Sequence, residues 1–198
     1  MPTGVHLRDV RKQLFDAAGR VLLRDGPNAL TSRAVTTEAD VAKGVLHRHF
    51  TDFDDFLADL VRDRLTRLAD QAALLHAAAG TRTVADNLIA ALTELFDPVS
   101  VALTSLIFFR DELRTRLRTG GGLPILTEAR AMLKAYLSAE REQGRIAVDA
   151  EVDSLSLSLI GAAHLLFAGR RRGTLPDGKE LGTMVTTVLA DVLQRRLL

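Results

Sequence analysis

The 198-residue sequence has no cysteine, so it can form neither a disulfide nor a thiolate metal site. No apolar run approaches the roughly 20 residues that a membrane-spanning helix requires. Met1 to Leu7 lacks the apolar core of a signal peptide, and a cytoplasmic protein is expected. Gly-x-Ser-x-Gly, His-Glu-x-x-His, phosphate-binding-loop and dinucleotide patterns are all missing, so an enzyme reading has no positive support and no cofactor is implied. The five histidines are His6, His47, His49, His76 and His164. His47 and His49 lie two apart on an expected helix and therefore point to different faces, a poor arrangement for sharing a metal. There is no repeat period and no low-complexity tract.

What is present is helical periodicity and an uneven charge. Residues 1–50 hold eight Lys/Arg against five Asp/Glu, whereas the whole chain carries a net charge of +1. A basic N-terminal segment on an otherwise balanced chain suits nucleic acid there and another task downstream. Arg8 to Arg24 places Val10, Leu14, Ala17, Ala18, Val21 and Leu22 on one helical face, and Gly26 is placed to cap its end. The polar face with Arg8, Arg11 and Lys12 reads as solvated.

Asp52 opens the next helix with Asp54 and Asp55 in its first turn, where carboxylates suit the helix dipole. Capping rather than metal binding is the reading of that cluster. The helix continues to about Ala79. A capping pattern at Thr83 to Asp86 and an Asp97-Pro98 start signal each open a further helix. The latter contains Leu103, Leu106, Ile107, Phe108 and Phe109, apolar nearly all round, so it is expected to run through the middle of a domain before the loop Gly120-Gly121-Gly122. Another helix spans Pro124 to Gln143. Ser154 to Leu159 alternates as a strand would, but the unbroken Ile160 to Phe167 and the lack of any partner strand make it helix. Arg170-Arg171-Arg172 ends it, cations suiting the dipole. A last helix runs from about Glu180 to Leu197 with Leu181, Val185, Val188, Leu189, Val192 and Leu193 in a stripe. The expected fold is all-α with about nine helices, divided into residues 1–51 and 52–198.

The most informative stretch is Thr31 to Phe50. Thr31 is placed to cap a helix from Ser32 to Ala39, Asp40-Val41-Ala42 breaks it, and a second helix runs from about Lys43 to His49. Ala34, Val35, Ala39, Val41, Leu46 and Phe50 supply an apolar set able to lock the two at a steep angle, as in a helix-turn-helix. The outer face of the second helix carries Lys43, Gly44, Val45, His47, Arg48 and His49. These combine phosphate-seeking cations, a residue small enough for close approach and an apolar group for a thymine methyl. Thr31, Ser32 and Arg33 join them as candidate DNA contacts.

Residues 8 to 60 resemble the DNA-binding domain of the tetracycline-repressor (TetR) family. The match rests on Gly26, Thr31, Arg33, Val35, Ala39, Val41, Gly44, Leu46, His49 and Phe50. Four positions depart from the family pattern. Asp40 stands where glycine is usual in the turn, Ala42 where serine caps, His47 where tyrosine is usual, and Phe53 where a phosphate-binding lysine is usual. The resemblance implies an N-terminal three-helix DNA-binding domain followed by a larger helical domain. It also implies a homodimer through the last two helices, a palindromic double-stranded operator and a small-molecule effector that releases a repressor from DNA. An effector site is placed at Phe108, Phe109, Met132, Tyr136, His164 and Phe167, whose flexible, aromatic and polar-tipped side chains suit a largely apolar ligand. The same six residues read equally well as plain core. A helical protein-interaction module with a basic face, or a helical enzyme without a recognisable motif, are the alternatives to the regulator.

Overall fold

The computed structural model describes residues 4–117, 123–168, 174 and 176–195, the side chains of 4–9 and of 194–195 excepted. Gly120-Gly121-Gly122, Arg170-Arg171-Arg172 and Leu197 lie outside the described residues. Among those described, every regular element is helical. The α-helices are α1 (Gly4–Arg24), α2 (Ser32–Glu38), α3 (Gly44–His49), α4 (Phe53–Ala77), α5 (Val84–Leu95), α6 (Pro98–Phe109), α7 (Asp111–Leu117), α8 (Pro124–Glu142), α9 (Val152–Ala168) and α10 (Gly178–Arg195), with a 3-10 turn at Pro27–Ala29. Among the described residues there are ten helices against the expected nine, because the helix expected from Asp97-Pro98 onward is broken at Arg110 into α6 and α7.

The chain packs as two compact units, one of Met1–Asp63 with Ala102–Leu123, the other of Arg64–Val101 with Pro124–Leu198. In the first, α1 buries Leu14, Ala17, Ala18, Val21 and Leu22, the expected stripe. Gly26 ends α1 at φ 85, with its N–H donating to the carbonyls of Val21 and Leu22. A ring cluster completes this core: Phe50 meets Phe56 edge-on at 5.1 Å, and Phe15 packs on Phe56 at 5.7 Å. Asp52 caps α4 by accepting from the Asp55 N–H at 2.8 Å, while the Asp55 carboxylate accepts from the Thr51 N–H at 3.0 Å, a reciprocal box.

One expectation about α6 is corrected. Leu103, Leu106 and Ile107 are buried, but Phe108 and Phe109 are exposed, at 55% and 82%. The helix ends at Phe109, so these two rings sit at its terminus, where they pack edge-on against each other at 5.2 Å.

In the second unit α5, α8, α9 and α10 enclose one apolar core that includes Leu88, Leu92, Leu133, Leu137, Leu159, Val185 and Leu189. The Ser/Leu alternation is helical, as expected. Val152, Ser156, Leu159, Ile160, Ala163 and Phe167 face inward at helical spacing, and Leu157 is exposed. Gly80, at φ 82, turns the chain between α4 and α5, and any Cβ there would collide with the Gln143 side chain.

Candidate nucleic-acid interface and effector cleft

The helix-turn-helix is assembled by short-range chemistry. Thr31 is extended (φ −130) and its Oγ1 accepts from the Ala34 N–H at 3.1 Å, the expected cap. Asp40 takes the left-handed conformation at φ 52, which asparagine, aspartate and glycine tolerate best, so it fills the place of the usual glycine. Its N–H donates to the Thr37 carbonyl and that of Val41 to the Thr36 carbonyl, closing the turn. Buried Val35, Ala39, Leu46 and Phe50 lock α2 to α3, and Gln13 of α1 donates to the Ala39 carbonyl at 2.8 Å. α3 starts at Gly44, one residue later than expected, and no side chain caps it, as the alanine at 42 implies.

This core presents an outer face. Thr31, Arg33, Lys43, Gly44, His47 and Arg48 are exposed, and Ser32, Val45 and His49 are half-buried. Eight of the nine sequence-derived DNA-contact candidates therefore offer their side chain or open backbone at the surface, whereas the Ser32 hydroxyl is buried with no hydrogen-bond partner among the described residues. A Cβ added at Gly44 would meet nothing within 4 Å, so the backbone there is open to close approach. Phe53, which replaces the family's lysine, stacks on Phe56 at 5.6 Å and carries the Arg110 guanidinium at 5.9 Å above its ring.

The cations of this domain divide into two sets. On α1, Arg11 pairs with Asp59 and lies 4.7 Å over the Phe50 ring, and Lys12 pairs with Asp16 at 2.7 Å. Arg20 and Arg24 both hold Glu38 at 2.7 Å. Their hydrogen bonds keep the Glu38 carboxyl below its ordinary range. Arg33, Lys43 and Arg48, by contrast, have no acidic partner among the described residues, although exposed arginines readily find one. Three unpaired cations beside an uncovered glycine suit a polyanion.

The six effector-site candidates are spread over the fold. Phe108 and Phe109 belong to the first unit, and Met132, Tyr136, His164 and Phe167 to the second. Phe167 stacks on Phe96 at 5.3 Å, and His164 lies 6.0 Å from the same ring. Burial lowers the His164 pKa below its usual value, and its Nδ1 has no hydrogen-bond partner among the described residues. Tyr136 is completely buried in a polar network that periodicity alone did not reveal. Asn87 Nδ2 donates to Tyr136 Oη and to the Ala78 carbonyl, both at 3.1 Å. The Tyr136 hydroxyl bonds to Glu140, and burial together with that carboxylate pushes its pKa well above the ordinary value. Glu140, itself fully buried, pairs with Arg145 at 2.7 Å, and Arg145 also donates to the Thr81 carbonyl at 2.9 Å.

Asn87 of this network also lines an open cleft of about 270 Å³ between α4 and α5, reached by one residue of α8, Met132. Leu74, Leu75, Ala78, Ala90 and Ala91 form its apolar walls, and Gln71, Asn87, Arg82 and Glu94 its polar ones. Of the six candidates only Met132 lines it. The signal that could have pointed here is Asn87, a polar residue inside the apolar stripe of Val84, Leu88 and Leu92, and Glu140 likewise completes the stripe of Met132, Leu133, Tyr136 and Leu137.

Among the described residues, a capped, tightly turned helix pair with an unpaired basic outer face has the architecture of a helix-turn-helix. Residues 14–60 match the model of the bacterial regulatory proteins of the tetR family. Solved structures of similar fold include a TetR-family transcriptional regulator from Agrobacterium tumefaciens, 14% identical with a TM-score of 0.71, covering 93% of this chain and 98% of that one. A transcriptional regulator from Rhodococcus sp. Rha1 is 19% identical with a TM-score of 0.68, covering 93% and 96%. The regulator FadR of Bacillus subtilis, solved in complex with stearoyl-CoA, is 17% identical with a TM-score of 0.64, covering 93% and 98%. No curated protein matches the chain. Residues 14–60 are thus similar to the N-terminal domain of the tetR family of bacterial regulatory proteins, and the fold of the chain is shared with TetR-family regulator structures.

Proposed function

We propose that this regulator is a cytoplasmic homodimeric repressor that binds a palindromic operator through α3 and leaves it when a small, largely apolar effector binds residues 52–198. The observation that carries the reading is the division of the cations. Arg11, Lys12, Arg20 and Arg24 of α1 are neutralised within the chain, whereas Arg33, Lys43 and Arg48 stand without an acidic partner among the described residues. In this reading α3 lies in the major groove, with Gly44 and Val45 nearest the bases and Thr31, Arg33, His47 and His49 on phosphates.

The dimer reading draws support from α9. Leu157, Gly161 and Leu165 are exposed at successive i, i+4 positions, and the two leucines are 56% and 76% accessible. Such a stripe on a helix already packed on its other side suits a second copy of the chain. Val188 of α10 is only half-buried within one chain and is available to extend it. For the effector, the α4–α5 cleft offers apolar walls and a few polar groups, among them Asn87 of the buried polar network, the usual makeup of a ligand site. Effector and operator then oppose each other by equal factors, typically about 1–3 kcal/mol.

Selection of bound sequences from random duplex DNA tests the core of the reading. A symmetric consensus is expected. Recovery of unrelated sequences, or of none, would refute it in favour of a protein-interaction module.

A further inference from the structure

The walls of the α4–α5 cleft leave one kind of hydrogen bond open. The two helices run antiparallel from the turn at Gly80. Asn87 Nδ2 pins them near the turn by its bond to the Ala78 carbonyl at 3.1 Å, and Arg64 pins the far end by donating to the Glu94 carbonyl at 3.4 Å. Gln71, Leu74, Leu75 and Ala78 line the cleft from α4, and Asn87, Ala90, Ala91 and Glu94 line it from α5, each set on one helical face. Gln71 lies two helical turns before Ala78, and Glu94 two turns after Asn87. Both therefore stand toward the end away from Gly80, roughly 10 Å along the helices from the Ala78–Asn87 bond. Thr81 and Arg82 stand at the turn.

Gln71 Oε1 is shut from solvent and has no hydrogen-bond partner among the described residues. Asn87 is buried, and its amide hydrogens are committed to the Ala78 carbonyl and to Tyr136 Oη, which leaves Oδ1 as the free atom. The Ala78 carbonyl can only accept, so it fixes which end of that amide carries the hydrogens. The Glu94 carboxylate has no cationic partner among the described residues, and Arg64 is already paired with Asp97. Gln71, Asn87 and Glu94 thus all call for donors. Arg82 is the one cation among the lining residues, and it is exposed. An anionic group turned toward it would form a surface pair, which contributes little, and would leave Gln71 Oε1 unmet. A buried acceptor without a donor is the costlier of the two, because its water has been removed without replacement.

On the reading of this cleft as the effector site, we propose that the effector is an amphipathic amine. Its protonated nitrogen donates to Gln71 Oε1 and the Glu94 carboxylate, and its apolar body lies along Leu74, Leu75, Ala90 and Ala91 toward Met132. A primary ammonium offers three donors and no acceptor, whereas a carboxylate would bring only acceptors and a like charge to the same end.

Octylamine, octanol and octanoate share one chain and differ in the head, and calorimetric titration of each into the full chain at about pH 7, where the amine is protonated and the acid ionised, is the test. Octylamine is expected to bind at least about tenfold more tightly than octanoate. Gln71→Leu, similar in size but without the acceptor, should weaken octylamine and octanol about tenfold each. Glu94→Gln should weaken octylamine about threefold and leave octanol as it is. Ala90→Phe, which fills the cleft from an exposed position, should weaken octylamine and octanol alike. Octanoate binding as tightly as octylamine, or octylamine binding that neither Gln71→Leu nor Glu94→Gln weakens, overturns the amine. If Ala90→Phe weakens that binding, the cleft remains the effector site. Binding indifferent to Ala90→Phe, or no binding of any of the three, overturns the cleft as the effector site and the amine with it.

Discussion

The two packing units of this protein place their polar groups in opposite ways. In the N-terminal unit the core is aliphatic and aromatic, with Phe15, Phe50, Phe53 and Phe56 in contact, and its ion pairs lie around the outside. In the second unit a carboxylate, an amide and a phenol are buried, joined to a partly buried guanidinium, and the amide of Asn87 also lines a cleft. An apolar core tolerates changes of shape at moderate cost, whereas removing one partner of a buried ion pair is costly. The first arrangement suits a rigid platform presenting a fixed face. The second suits a site whose walls must be held in one geometry, since each member of the network fixes the position of the next.

The largest effect expected from this contrast is at Arg145. Arg145→Ala removes the guanidinium that pairs with the fully buried Glu140, and should destabilise the second unit by about 3–5 kcal/mol in urea unfolding. Phe56→Leu in the other unit, a change of shape within an apolar core, should cost only about 1.5 kcal/mol or less. If the two losses are equal, the contrast between the cores has no energetic content.

Val188→Glu should turn the dimer into a monomer and abolish tight DNA binding in the same step, because a two-fold operator needs two recognition helices on one particle. Sedimentation of the parent at micromolar concentration as a monomer would sink the dimer.

Thr31→Ala should weaken the N-terminal domain by about 1 kcal/mol, the value of a helix cap, with only a small change in the second unit. A loss confined to the second unit would show that the cap is not local.

The smallest effect expected is the pH response of His164. Burial depresses its pKa below the ordinary 6.5, so the unfolded chain binds the proton more readily than the folded one. Its contribution to stability is therefore complete above about pH 6.5 and declines as pH falls toward the folded-state pKa. His164→Gln should flatten unfolding stability in that window. The further loss near pH 4 should remain, because it belongs to carboxylates such as Asp52 and Asp153, whose pKa values are lowered by Arg116 and Lys134 respectively.

How legible each part was follows from the range of the interactions involved. Thr31, Asp52, Thr83 and Asp97 could be read as caps because each acts on a backbone N–H within three residues. The Asp40 turn was legible for the same reason, as a residue tolerant of positive φ in a place that needs it. Arg11, by contrast, finds its partner in Asp59, forty-eight residues away, and no local pattern announces that its charge is spent. Phe108 and Phe109 were read as interior because a helix apolar all round does not reveal where it stops, and here it stops at those rings. Asn87 and Glu140 were visible as polar interruptions of apolar stripes, yet their meaning required knowing that Tyr136 and Arg145 meet them in space.

The central claim is that the unpaired cations of α2 and α3, and not the neutralised ones of α1, face the operator. The salt dependence of operator affinity tests it most directly, because each phosphate contact contributes about 0.9 to the log–log slope. Arg33→Ala and Lys43→Ala should each weaken binding and reduce that slope by about 0.9 per protomer contact, while Lys12→Ala, whose lysine is paired with Asp16, should leave the slope as it is. Unchanged slopes for Arg33→Ala and Lys43→Ala, or a slope lost only with Lys12→Ala, would place the DNA on a different face of the domain.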